Sequence, residues 1–199
     1  MNMELIRNAV AEAAKRFGAE EYELTISDME NTAVEALHKA VSSISYSRTG
    51  TMTVRCEVGG KSVYAASELV TPAAAAEIVE IACDTATVVS DADQVGLFPG
   101  SEHYETSRAT ALELPGTDSL KERALKLQEL AFAASDKIVD GTQSFVSGMN
   151  IVRDVMNSAG LQLHYETGLV YQGLAAAGKD GEEAADEFCL EHSGDLRHL

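Results

Sequence analysis

Immediately after Phe17 the spacing of apolar residues drops from three and four to two, and the same drop recurs after Asp136. A helix with an apolar stripe, followed by alternating strands, must lay that stripe on a sheet, so the chain is confined to the α+β class. In the first helix Leu5, Ile6, Ala9, Val10, Ala13, Ala14 and Phe17 share one face, and Gly18 supplies the stop. Tyr22, Leu24 and Ile26 then alternate with Glu23, Thr25 and Ser27 in a half-buried strand. Over Thr32 to Ser47 we expect two short strands with a turn near His38 and Lys39, although "AVEALHKAV" also suits a helix. Met52, Val54, Cys56 and Val58 alternate into a "GGK" turn and the strand "SVYAAS", which is a hairpin.

A second helix opens at Thr71, a capping residue, with Pro72 in the first helical position. Ala75, Ile78, Ala82 and Val89 lie on its stripe, and Cys83 sits beside the buried edge. From Asp91 to Thr117 periodicity vanishes and two of the three prolines appear, so 91–117 reads as a connecting loop. The third helix carries Leu120, Ala124, Leu127, Ala131 and Ala134, with Thr117, Asp118 or Ser119 as its cap. After Asp136 five strands are expected, "GTQSFVSG", "MNIVRDVMN", "LQLHYETG", "LVYQGLAAAG" and "EEAADEFCLEH". The expectation is therefore three main helices and about ten short strands. They form two helix-plus-antiparallel-meander halves, about 1–90 and 118–199, joined by the loop.

The chain has 199 residues, 45% of them apolar, which supports a real core. No stretch is long and apolar enough to be a signal peptide or a membrane span, so we expect a cytoplasmic protein with no membrane partner. Its 32 acids and 15 bases give a formal charge of −17, which repels phosphate backbones and argues against direct nucleic-acid binding. The densest acidic run, Lys179 to His192, lacks calcium-loop spacing and reads as a solvated strand or loop face. Cys56, Cys83 and Cys189 are odd in number and widely spaced, as expected of reduced thiols and not of a disulfide frame.

Four features could carry chemistry. "VGGKS" (Val58 to Ser62) resembles the end of a phosphate-binding loop, but Arg55 stands where a glycine is needed and a strand follows, so a hairpin turn is favoured. His103 and His164 each precede a glutamate by two residues, and His164 with Glu166 would share one face of a strand. Because Leu161, Leu163 and Tyr165 form the apolar side, that face is expected to be a polar wall and not an acid/base pair. Cys189, His192 and His198 could contribute to a metal site, although no fourth ligand is evident. No nucleophile elbow and no paired-histidine zinc motif is present.

Several segments, taken in order, resemble the N-terminal domain of the TldD/PmbA family, and its PmbA (TldE) branch in particular. These are the opening helix with "AEEYELTIS", the glycine-turn hairpin "RTGTMTVRCEVGGKSVYAASEL", and "IVEIACDTATVVSDADQVGLFP". "SLKERALKLQELAFAASDKI" and the Asn-Ser-x-Gly turn of "MNSAGLQLHYETG" complete the series. The family, once described as modulators of DNA gyrase, is read as a peptide-processing protease system. The resemblance implies one N-terminal domain over 1–199, with a C-terminal domain of similar size expected beyond a truncation and not a natural stand-alone chain. It further implies a non-catalytic subunit that contacts a TldD-type partner or guides an extended peptide, with homo-oligomers also open. Zinc, held by an H-E-x-x-x-H motif, is expected only in the partner, so no catalytic, cofactor or metal residue is carried onto this chain. The alternatives are a stand-alone metal-dependent hydrolase using His164/Glu166 or Cys189/His192/His198, and a regulator of DNA topology that binds protein.

Overall fold

The computed structural model describes residues 3–90, 95–103 and 113–194. Its elements, in chain order, are α1 (Met3–Phe17), β1 (Glu21–Leu37), β2 (Ala40–Val58), β3 (Lys61–Ser67), α2 (Pro72–Val88), α3 (Thr117–Ala134), β4 (Gln143–Asn157), β5 (Gln162–Asp180) and β6 (Glu183–Ser193). The strands form one antiparallel sheet in the order β3-β2-β1-β4-β5-β6.

Helices and antiparallel strands are both present, the three helices hold, and so do the turns at His38–Lys39, Gly59–Gly60 and Asn157–Gly160, but the strand count, the sequential halves and the turns at Gly148 and Gly168 do not. Among the described residues six strands replace about ten because neighbouring stretches fuse. The two expected strands at 22–27 and 32–37 are the ends of β1, and the stretches at 40–47 and 52–58 likewise join in β2. Gly148, read as a turn, lies inside β4: a Cβ there would sit 2.9 Å from Pro115 Cδ, so the glycine admits a close approach and does not reverse the chain. Gly168 is likewise inside β5.

The chain divides into two compact units that do not follow sequence order. The first takes in Met1–Asp28, Thr49–Arg108 and Val152–Tyr165; the second takes in Met29–Arg48, Ala109–Ile151 and Glu166–Leu199. Sequential halves fail because β1 gives Leu24 and Ile26 to one core and Val34 and Ala36 to the other.

In the first unit α1 and α2 pack on each other, and Ile6, Val10, Ile78 and Val79 meet Leu24, Ile26, Met52, Val54 and Cys56 of the sheet. Each such aliphatic side chain removed from water contributes about 1.5–3 kcal/mol. Thr71 Oγ1 accepts from Ala74 N at 3.2 Å, the expected cap, while Val89 follows the last helical residue as C-cap. Gly18 (φ 79) ends α1, and Gly59 (φ 56) and Gly60 (φ 77) form the two-residue turn between β2 and β3.

The second unit is smaller in core: Leu120 and Ala124 of α3 pack on Val34, Ala36, Val146 and Val170. Its helix is capped by Gly116, without a side-chain hydrogen bond, and not by Thr117, Asp118 or Ser119, all of which fall inside the helix. Gln128, on the buried side of α3, is fully enclosed. It donates to Ala36 O (2.6 Å) and Thr142 O (2.7 Å) and accepts from Lys39 N (2.7 Å). That last bond steadies the turn between β1 and β2, where His38 (φ 52) and Lys39 (φ 59) both hold left-handed backbone without being glycine.

Cys56 and Cys83 are buried, hydrogen-bonded to each other, whereas Cys189 is exposed on β6. Burial, then the neighbouring Cys83, pushes the Cys56 thiol up to about 12, and burial raises Cys83 as well. Native protein at pH 8 is therefore expected to react with a thiol reagent once per chain, at Cys189, and three times after unfolding. Both raised thiols stabilise the fold only while protonated. Stability is accordingly expected to fall as pH rises from the ordinary thiol value of 9.0 towards about 12, and a Cys56→Ala variant would lose part of that slope in alkaline denaturation curves.

Candidate functional site

The strand that carries His164 is launched by a turn at Asn157. The Asn157 Oδ1 accepts from Ala159 N and Leu161 N at 3.0 Å each, and its Nδ2 donates to Glu23 Oε2 (3.2 Å) and Phe98 O (2.8 Å). One amide thus folds the turn and ties it to β1 and to the segment after α2. Ser158 adds a reciprocal pair with the Tyr22 backbone, donating from its N and accepting on Oγ. Gly160 (φ 105) completes the turn, which matches the hairpin read from the sequence.

Beyond the turn, Leu161 is buried and Leu163 half-buried while Gln162, His164 and Glu166 are exposed, as the polar-wall reading expects, but Tyr165, expected on the apolar side, is exposed as well. The carboxylate against His164 is one the sequence reading did not single out: Asp154 of β4 places Oδ1 2.8 Å from the imidazole Nδ1. Gln162 Oε1 accepts from Arg7 Nη2 at 3.1 Å. Together with Met3, Met156 and Leu163 these groups line a shallow cleft of about 260 Å³. A carboxylate fixing one nitrogen of a histidine is the arrangement that orients a general base. Here the His164 side chain is 56% exposed, so water screens the pair and weakens it as chemistry. Burial raises the Tyr22 hydroxyl, and the Arg7 guanidinium offsets part of that rise.

The other sequence candidates fall apart or are occupied structurally. Cys189 and His192 both lie on β6, but they pair with Leu174 and Tyr171, so they project from opposite faces and cannot grip one ion. His198, the third member of that set, lies outside the described residues. Among the described residues no three His, Cys, Asp or Glu side chains converge as a metal site. His103 is exposed in an irregular segment, and its partner Glu105 lies outside the described residues. In "VGGKS" the hairpin reading holds. The Lys61 ammonium donates to Ala86 O and Val89 O at the C-terminal end of α2, where cations are favoured. Ser62 Oγ donates to both oxygens of Glu57 (2.6 and 2.7 Å), a fully buried carboxylate, and accepts from Val95 N. Neither the lysine nor the serine is left to cradle a phosphate.

The acidic run forms the last turn and β6, exposed along nearly its whole length. No described helix is long and apolar enough to cross a membrane.

No family model and no curated protein matches the sequence. Solved structures do. TldE from Thermococcus kodakarensis superposes with a TM-score of 0.79 at 20% identity, over 96% of this chain and 43% of its own. A candidate modulator of DNA gyrase from Bacteroides thetaiotaomicron VPI-5482 gives 0.82 at 13% identity, over 98% of this chain and 46% of that one. A second, from Thermotoga maritima MSB8, gives 0.75 at 13% identity, over 100% of this chain and 45% of its own. The likeness of the folds agrees with the resemblance read from the sequence segments. The chain therefore has the fold that TldE and these candidate gyrase modulators share, and it spans a little under half of their lengths.

Proposed function

We propose that the chain is the non-catalytic N-terminal domain of a PmbA/TldE-like subunit in a metallopeptidase complex that processes or matures peptides in the cytoplasm. The observation that carries this reading is the likeness to TldE across 96% of the chain. Two features support it. The imidazole of the cleft's histidine–carboxylate pair is more than half exposed, although Asp154 is mostly covered, which suits contact and not bond breaking. The net charge of −17 suits basic peptide or protein partners and disfavours DNA, so any effect on a topoisomerase would run through protein contact. Zinc and hydrolysis then belong to a TldD-type partner, and this chain contributes subunit contact or substrate guidance.

Size-exclusion chromatography of this chain with a TldD-type subunit is expected to show co-elution. Peptide hydrolysis is expected from the mixture or from the partner, and not from this chain alone. Stoichiometric zinc in the purified chain, together with hydrolysis abolished by His164→Ala or His192→Ala, would sink the proposal in favour of a self-contained hydrolase.

A further inference from the structure

β6 closes one end of the sheet, and among the described residues no strand lies beyond it. Eleven residue pairs, from Val170 with Ser193 to Asp180 with Glu183, join it to β5. An antiparallel ladder uses the N–H and C=O groups of one strand edge only, so from Glu183 to His192 the outer row of β6 is unused by the sheet. Natural edges are shielded by short length, lysine, proline or a bulge. Over Glu183–Ser193 the sequence has no Lys, Arg, Pro or Gly, and the strand is eleven residues long. Its charged shields are chiefly acids: Glu183, Asp186, Glu187 and Glu191.

The side chains divide by face. Glu191 accepts from Gln172 Nε2 (2.9 Å), and Gln172 in turn accepts from Arg123 of α3, so Glu183, Glu187 and Glu191 project on the helix side. Phe188 and Leu190, 55% and 53% exposed, project on the other side between Asp186 and His192, with Phe188 stacked on Phe145 at a centroid distance of 6.1 Å. A strand added to this edge continues both faces. Its residues must therefore alternate between partners for glutamate and partners for exposed aromatic and aliphatic groups.

We propose that β6 is the docking edge for an extended peptide in which basic and apolar residues alternate. Charge selects this occupant over a second copy of the chain. Pairing β6 with itself would set acidic face beside acidic face on two molecules that each carry −17, whereas lysines or arginines meet the three glutamates with opposite sign. The backbone supplies the hydrogen bonds and the two faces supply the selectivity, as in other strand-addition complexes. The choice of a peptide as occupant rests on the peptide-handling function proposed above; the choice of edge and of pattern rests on β6 alone.

The test uses the chain with a synthetic peptide of alternating Lys and Val, and a control of the same composition with the lysines in one block. Two readouts report on β6: amide hydrogen exchange over 183–193, and alkylation of Cys189, the one exposed thiol among the three. Saturating alternating peptide is expected to slow exchange at alternate β6 amides and Cys189 alkylation by about tenfold, with little effect from the block peptide. A Glu183→Lys/Glu187→Lys variant is expected to lose the basic peptide and gain an alternating Glu/Val peptide, a gain that an unfolded variant could not show. Protection of β6 in dilute chain without peptide, or protection that follows a concentration-dependent dimer, overturns the inference because the edge is then covered from another source. Peptide binding that leaves β6 unprotected overturns the edge and keeps the peptide-handling function. Loss of both peptide binding and co-elution with a TldD-type subunit overturns both.

Discussion

Replacing Gln128 by leucine is expected to lower the unfolding free energy by about 3 kcal/mol, and the melting temperature by about 6–12 °C. Three buried backbone groups depend on that one amide: Ala36 O, Thr142 O and Lys39 N. Each left without a partner costs about 1–3 kcal/mol, and the apolar surface leucine buries offsets only part of the sum. The damage should concentrate at the β1–β2 turn, because Lys39 N is its tie to α3 and both turn residues sit in left-handed backbone. A His38→Asn/Lys39→Gly change, which suits that backbone, is expected to recover part of the loss. Gln128→Glu separates shape from hydrogen bonding: ionised, it turns an acceptor towards two carbonyls. It is expected to be as damaging as leucine at neutral pH and to recover as the pH falls and the carboxyl gains a proton to donate. Chemical denaturation of the three variants between pH 4 and 8 checks the series. An unchanged midpoint for Gln128→Leu would mean that water or rearrangement satisfies the three groups.

Gln128 also shows what could and could not be read from the sequence. The helical stripe of α3 was legible at Leu120, Ala124 and Ala131, which are buried as expected. A glutamine on that stripe looks like surface, and nothing local signals that two of its three partners lie 89 and 92 residues away in sequence. Turns were legible wherever a special residue fixes the backbone: Gly18, Gly59 with Gly60, and Asn157 to Gly160. Strand length was not. In β1 the buried pairs Leu24/Ile26 and Val34/Ala36 serve different cores, and the half-exposed stretch between them breaks the period-two signal. One long strand then reads as two short ones, and helix-plus-meander repetition reads as two sequential halves. At the candidate site, the exposed face of Gln162 and His164 followed from alternation alone, whereas Asp154 did not. Its pairing with His164 depends on the register of β4 against β5, which pattern does not encode.

Gly173 carries the second large effect, and for a reason that concerns the proposed docking edge. A Cβ built there would lie 2.3 Å from two carbons of the Phe145 ring, so the ring occupies the space a side chain would need. The ring cannot simply swing aside, because it packs edge-on against Tyr171 (6.0 Å, 68°) and stacks on Phe188 (6.1 Å, 14°). Gly173→Ala is therefore expected to cost about 2 kcal/mol through overpacking, and Gly173→Val about 3 kcal/mol. Phe145→Leu in the Gly173→Ala background should return part of that cost, giving a coupling of about 1–2 kcal/mol in a double-mutant cycle. Strict additivity would mean that the ring and the glycine are not matched to each other. The same ring supports Phe188, on the apolar face of β6, while Glu187 and Cys189 lie on the opposite face. Displacing it should weaken the apolar half of peptide recognition and leave the acidic half intact. A peptide of Lys and Val would then lose affinity in Gly173→Ala, while one of Lys and Ser, which uses the glutamates alone, would bind both proteins equally.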